Sequence, residues 1–301
     1  MPPRQLFFTC VLTIISLTSA EYSFTLYKSS IPAGTTNLDQ LDPALPTYII
    51  VHGWHQDSTN PGLLQMKNAY LSLAPANVVI FNWAPDSLTI NYFGAAAAVL
   101  PAGKVLGHKI ATLSSTLKIN IKITKLIGFS LGAHVAGVAG KIFKYVTKTQ
   151  LEHIVGLEAP IVGFVINTNR LNIHDAKFVL AFHTSIFGKI ENYGHVDVYF
   201  NYNLLGWGLF QPNCPANPGL NVPAVFNNGW CNHVRSVAYW IESITNNHFW
   251  AVRCNCWFKQ WNLCKDSGVL IGHGMNSTLR GAFCLKTTGV NPFGKGYAGI
   301  C

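Results

Sequence analysis

The sequence predicts an α/β fold with a mostly parallel central sheet and helices on both faces. Three observations predict it. Continuous apolar runs recur at 47–51, 78–83, 121–127, 153–157 and 177–183, too short for helices and too uniform for strands with a wet face. Helical stretches separate them, which is the alternation that a parallel sheet needs. One strand-to-helix joint carries a Gly-x-Ser-x-Gly motif, Gly128-Phe129-Ser130-Leu131-Gly132.

Residues 1–20 read as a secretory signal peptide, with Arg4 near the front, an apolar core over 6–17 and Thr18-Ser19-Ala20 as a small-residue exit. The remaining chain, 21–301, has neither an internal repeat nor a low-complexity linker and is expected to be one domain. No later apolar run is long enough for a membrane span. Of the eight cysteines, Cys10 falls in the signal and the other seven lie in the last third of the chain. Secretion makes disulfides the default for them, and no cysteine spacing comes with the histidines of a zinc site. An odd number leaves one thiol unpaired or bonded outside the chain. Asn276-Ser277-Thr278 is an N-glycosylation sequon, which fits the same compartment. The formal net charge of +9 is spread thinly, with only 11% of residues charged and no dense Lys/Arg block. Nucleic acid is excluded as a partner, and a diffuse positive field favours anionic interfaces.

In chain order, residues 22–27 alternate in polarity and predict a first edge strand, followed by a turn-rich stretch over 29–46. The run from Thr47 ends at His52-Gly53-Trp54, a buried strand opening into a loop. Glycine there lets backbone approach a ligand, and the Trp54 N–H is a candidate oxyanion donor; His52 reads as a packed loop residue. The next strand covers 78–83, and a helix follows over 95–113 despite Pro101. The strand at 121–127 feeds the motif. Those at 153–157 and 177–183 end at Glu158-Ala159-Pro160 and His183-Thr184. Ligand sites in such sheets lie at the carboxyl ends of the strands, where Trp54, Ser130 and Glu158 all fall.

The motif reads as a nucleophile elbow. A serine on so sharp a turn needs small residues two positions before and after it, which Gly128 and Gly132 supply. The small-residue helix beyond, with Ala133, Ala136, Gly137, Ala139 and Gly140, points its N-terminus back at the serine, so that the Leu131 N–H can receive an oxyanion. Serine at its ordinary pKa is a poor nucleophile and needs a histidine held by a carboxylate. In α/β-hydrolases the order is serine, acid, histidine, which places the base after Ser130. His134 is one helical turn on and cannot curl back onto the elbow; His183 ends a strand and His195 opens one. His233 stands in a cysteine-tethered loop leading into a helix over 236–244.

The blocks Val51-His52-Gly53-Trp54, Gly128-Phe129-Ser130-Leu131-Gly132-Ala133-His134, residues 178–184, Gly194-His195-Val196-Asp197, Gln211-Pro212-Asn213-Cys214 and Cys231-Asn232-His233-Val234-Arg235-Ser236 occur in that order. Together, over residues 22–292, they resemble the pancreatic lipase family, and within it the secreted phospholipase A1 branch. The resemblance implies an α/β-hydrolase fold without the lipases' C-terminal β-sandwich, Ser130 as nucleophile, His233 as base, and the Trp54 and Leu131 amides as the oxyanion hole. It implies a disulfide between Cys214 and Cys231 bracketing a short lid, and a second between Cys254 and Cys264. Cys256, Cys284 and Cys301 remain, of which Cys284 with Cys301 is the suggested pair.

One position departs from the pattern. Where the family reads Gly-Leu-Asp-Pro-Ala, this chain has Gly156-Leu157-Glu158-Ala159-Pro160. Glu158 takes the place of the acid with an extra methylene, so its backbone has to start farther from His233, and the shifted proline offers a way to do so. Asp175 and Asp197 read as structural. Pro215, Pro218 and Pro223 with Gly219 and Gly229 predict a lid that is not helical, and a short lid goes with phospholipase activity in the family. The apolar stretch over 203–210 could wall an acyl-chain groove or touch a bilayer.

The expectation is therefore a secreted serine esterase that cleaves the sn-1 acyl ester of phospholipids at a membrane or lipid interface. It needs no metal, no organic cofactor and no protein partner. The alternatives are a triacylglycerol lipase of the same family, or a non-catalytic lipid-binding protein of the yolk type on the same fold.

Overall fold

The computed structural model describes residues 21–165, 168–188, 191–202, 210–215, 222–253 and 268–300. The expected signal peptide, the 203–209 stretch, Cys254, Cys256, Cys264 and Cys301 lie outside the described residues. In chain order the elements are β1 (Ser23–Lys28), β2 (Ile31–Thr35), β3 (Thr47–Val51), α1 (Pro61–Leu73), β4 (Asn77–Asn82), α2 (Ala84–Ser87), α3 (Tyr92–Ser115), β5 (Thr124–Phe129), α4 (Leu131–Thr147), β6 (Leu151–Leu157), β7 (Ala176–His183), β8 (Val196–Phe200), α5 (Val222–Thr245), β9 (Trp250–Arg253), β10 (Val269–Leu270) and β11 (Gly281–Leu285).

The described strands form one sheet in the order β10-β9-β11-β8-β7-β6-β5-β3-β4-β1-β2. From β11 through to β4 every pairing is parallel. Antiparallel strands close both edges, β1 and β2 on one side, β9 and β10 on the other. The five apolar runs of the sequence are β3 to β7, and they are buried because helices cover both faces. Ile49, Val51, Leu126, Ile154 and Val179 pack with Val99 and Leu106 of α3 and Val135 of α4. Their neighbours Tyr48, Ile50, Ile127, Val155 and Leu180 pack with Met66 and Tyr70 of α1 and Val237 and Trp240 of α5. Each such side chain removed from water stabilises the fold by about 2 kcal/mol, so the continuous apolar runs of β3 to β7 hold these strands in the middle of the sheet. Pro101 lies on the exposed face of α3, which continues through it.

Two elements differ from expectation. The strand expected at the edge, β1, is internal, because the turn-rich stretch after it folds back as β2. His233 is not in a loop: α5 begins at Val222 and runs through it, so the second half of the bracketed lid is helical. Pro223 falls in the first turn, where a missing N–H costs nothing. Gly229 sits where any Cβ would overlap the Phe187 ring. Among the described residues no helix is long and apolar enough to cross a membrane.

Candidate active site

The elbow sits between the end of β5 and the start of α4. Ser130 has φ 54° and ψ −128°, a conformation that an L-residue adopts only under constraint. The constraint is local. Its N–H donates to the Leu157 carbonyl (2.9 Å), and its carbonyl accepts the Ala133 N–H (2.9 Å). A Cβ on Gly128 would stand 2.6 Å from the Ala133 Cα, and one on Gly132 would stand 2.5 Å from the Val51 carbonyl. Both glycines are therefore required by close approach. Ser130 caps α4 without a side-chain bond to its first amides, which leaves that helix end open beside the serine.

The second expected oxyanion donor is oriented through its peptide plane. His52 is fully buried, and its Nδ1 lies 3.1 Å from the Gly53 carbonyl. The Gly53 carbonyl can only accept, so Nδ1 carries the proton and donates to it, while Nε2 accepts the Trp83 N–H (3.1 Å) and lies 3.0 Å from the Asn82 side-chain amide. Burial lowers the His52 pKa and keeps the ring neutral. Because the Gly53–Trp54 peptide is trans, fixing that carbonyl aims the Trp54 N–H the opposite way. Gln56 completes the clamp, since its Oε1 accepts the Gly53 N–H (3.0 Å). Gly53 itself abuts the serine, as a Cβ there would be 2.8 Å from the Ser130 Cβ.

Glu158 follows β6 with φ 53° and is 1% exposed. Its Oε2 accepts from the Thr184 N–H, the Thr184 hydroxyl (2.7 Å) and the Ser185 N–H (3.0 Å), and its Oε1 accepts from the Ser185 hydroxyl (3.1 Å). Burial pushes its pKa up, against the pull of His183 and of these donors. His233 is also buried, in an aromatic setting of Phe129 (ring centroids 4.8 Å), Trp230 (5.6 Å) and Phe187 (6.1 Å). Its Nδ1 is buried without a hydrogen-bond partner among the described residues, and burial lowers its pKa to about 3. Ser130 and Glu158 follow β5 and β6 at the carboxyl end of the sheet and His233 lies against Phe129 at the end of β5, with no hydrogen bond joining His233 to Ser130 or to Glu158.

Other buried polar groups near these elements have structural partners. His134 binds the Pro160 carbonyl through Nε2 (2.8 Å) and the Leu171 N–H through Nδ1 (3.0 Å). Asp175 pairs with Lys141 (2.9 Å), and Asp197 with His183 (2.9 Å) while it also accepts the Tyr193 N–H. The start of α3 with the residues before it, and the loop after β6, expose Ile90 (88%), Phe93 (67%) and Val165 (61%), and the Tyr92 hydroxyl of α3 donates to the Val162 carbonyl of that loop (2.9 Å). Cys214 and Cys231 form the bracketing disulfide, and Cys284 is disulfide-bonded to a cysteine outside the described residues. Asn276 is exposed, with its Oδ1 accepting from the Thr278 N–H (2.9 Å) and hydroxyl (2.9 Å).

Sequence reasoning missed Thr184 and Ser185, although both follow His183 at the carboxyl end of β7, the strand next to Glu158. Gln56 and Gly188 carried no signal of their own.

The sequence profile of the Lipase family matches residues 23–274. Phospholipase A1 of Vespula squamosa is 31% identical over 208 residues, which cover 66% of this chain and 65% of that protein. Hepatic triacylglycerol lipase of Oryctolagus cuniculus is 32% identical over 238 residues, 71% of this chain and 45% of that one. Lipase member H-B of Xenopus laevis is 29% identical over 218 residues, 71% and 44%. The chain spans less than half the length of the last two.

Proposed function

The chain belongs to the lipase family, and from that premise we propose that it is a secreted carboxylic ester hydrolase that cleaves the sn-1 acyl ester of phospholipids. Ser130 Oγ attacks the ester carbonyl while His233 Nε2 takes its proton. The Trp54 and Leu131 N–H groups stabilise the tetrahedral oxyanion, and His233 returns the proton to the leaving alcohol. Water then attacks the acyl-serine by the same route and releases the fatty acid. Glu158 accepts the His233 Nδ1–H and stabilises the imidazolium that forms.

The observation that carries this reading is the strained Ser130 at the open N-terminus of α4, with the clamped Gly53 packed against it. The neutral state of His233 suits a base, since only the unprotonated imidazole can accept the serine proton. Ile90, Phe93 and Val165 form an apolar rim that fits a lipid surface, and the net charge of +9 favours an anionic one.

A triacylglycerol substrate is the second reading. It is favoured by the helical residues 222–230, since the short lid was expected not to be helical, and by the likeness to hepatic triacylglycerol lipase. Ser130→Ala tests the chemistry common to both. It is expected to abolish ester hydrolysis while far-UV circular dichroism and the melting temperature stay unchanged; undiminished hydrolysis would remove Ser130 from the reaction.

A further inference from the structure

We infer that Gly188 is a positioning residue for the acid: its missing side chain is the space into which the extra methylene of Glu158 carries the carboxylate. This rests on the reading of Glu158 as the triad acid. The chain just beyond the acid runs antiparallel to the loop after β7, with Pro160 bridged to Gly188 and the Ile161 N–H donating to the Phe187 carbonyl (3.1 Å). That pairing brings the Gly188 backbone against the carboxylate. A Cβ at 188 would overlap Oε1 and stand 2.7 Å from Cδ, yet 3.5 Å from Cγ. Oε1, which lies one bond beyond the reach of an aspartate oxygen, is the atom that takes up the glycine's space.

The oxygen beside Gly188 is the one with capacity left. Among the described residues Oε2 takes three donors, while Oε1 takes only the Ser185 hydroxyl. Oε1 therefore has capacity to receive the His233 Nδ1–H, which has no partner among the described residues. Gly188 is not among the glycines with positive φ, so alanine fits the backbone there and its bulk falls on the carboxylate. Pro160, one residue later than in the family pattern, is the residue whose bridge sets this contact. The glutamate, the shifted proline and the glycine form one compensating unit.

The test is a double-mutant cycle on the full chain. Gly188→Ala alone is expected to lower kcat by roughly a hundredfold with little change in KM, the scale on which misplacing a catalytic group by about 1 Å acts. Its acid limb of activity should move to lower pH as the carboxylate leaves the imidazole. In the Glu158→Asp background the same alanine should change kcat, or the melting temperature if kcat is too low to measure, far less than in the parent. If G188A does not fold, recovery of folding in E158D/G188A supports the pairing, and failure of both to fold overturns it. Equal losses in the two backgrounds, with Glu158→Gln inactive, overturn the role of Gly188 and leave the acid in place. Full activity in E158Q removes the acid assignment and this inference with it.

Discussion

The α4 and α5 sides of the elbow each bury a histidine, and they treat it in opposite ways. On the α4 side both ring nitrogens of His134 are bonded to backbone, and the ring stacks on Phe164 with centroids 3.9 Å apart. On the α5 side the His233 ring lies against Phe129, Trp230 and Phe187, and its Nδ1 is buried without a partner among the described residues. A buried polar atom without a partner costs about 1–3 kcal/mol, a condition His233 Nδ1 shares among the described residues with Asp175 Oδ1, Arg235 Nε and His273 Nδ1. The α4 side holds the corner together; in the proposed mechanism the α5 side supplies the group that takes the proton.

The largest effect that separates the two sides is on turnover. His233→Ala should lower kcat by about a million-fold, the scale of losing a triad base, with the melting temperature held or raised; this is checked by ester hydrolysis beside thermal denaturation. Glu158→Gln should cost about ten-thousand-fold in kcat. Its residual activity should have an acid limb at lower pH, because without the anion the imidazole is protonated less readily; a pH profile of kcat/KM shows the sign. His134→Ala should do the reverse of His233→Ala. Leaving the Pro160 carbonyl and the Leu171 N–H unpaired should destabilise by about 3 kcal/mol in urea, with activity per folded molecule retained. A loss of turnover as deep as in His233→Ala would erase the contrast.

The smallest effect concerns pH. Burial lowers the pKa of His153 and of His273 to about 4, helped by the Lys125 charge, and that of His233 to about 3. The unfolded chain binds these protons near the ordinary value of about 6.5. Stability is therefore full above that pH and is lost as pH falls from there toward 4. The urea midpoint should drop over that window, and His273→Asn should reduce the drop.

The α4 side was also the legible one. Strands β3 to β7 announced themselves as apolar runs, and the elbow as glycines at fixed offsets, because these are local demands of the backbone. What was illegible depends on distant partners. β2, reading Ile-Pro-Ala-Gly-Thr, has no strand pattern and exists because β1 offers it an edge. β11 lies next to β8 although 80 residues separate Asn201 from Gly281. α5 was hidden by Pro223 and Gly229, one harmless in a first turn and the other required by Phe187. Gly188 acquires meaning only beside Glu158, a contact across 30 residues of sequence.

The central claim, a serine esterase directed at the sn-1 ester of phospholipids, is tested most directly with one substrate. The purified protein is presented with a phospholipid labelled separately at its two acyl positions, beside a triglyceride emulsion. Release of the sn-1 label alone, absent in Ser130→Ala, is the predicted result. Faster release from the triglyceride, or no release by a folded protein, would contradict it.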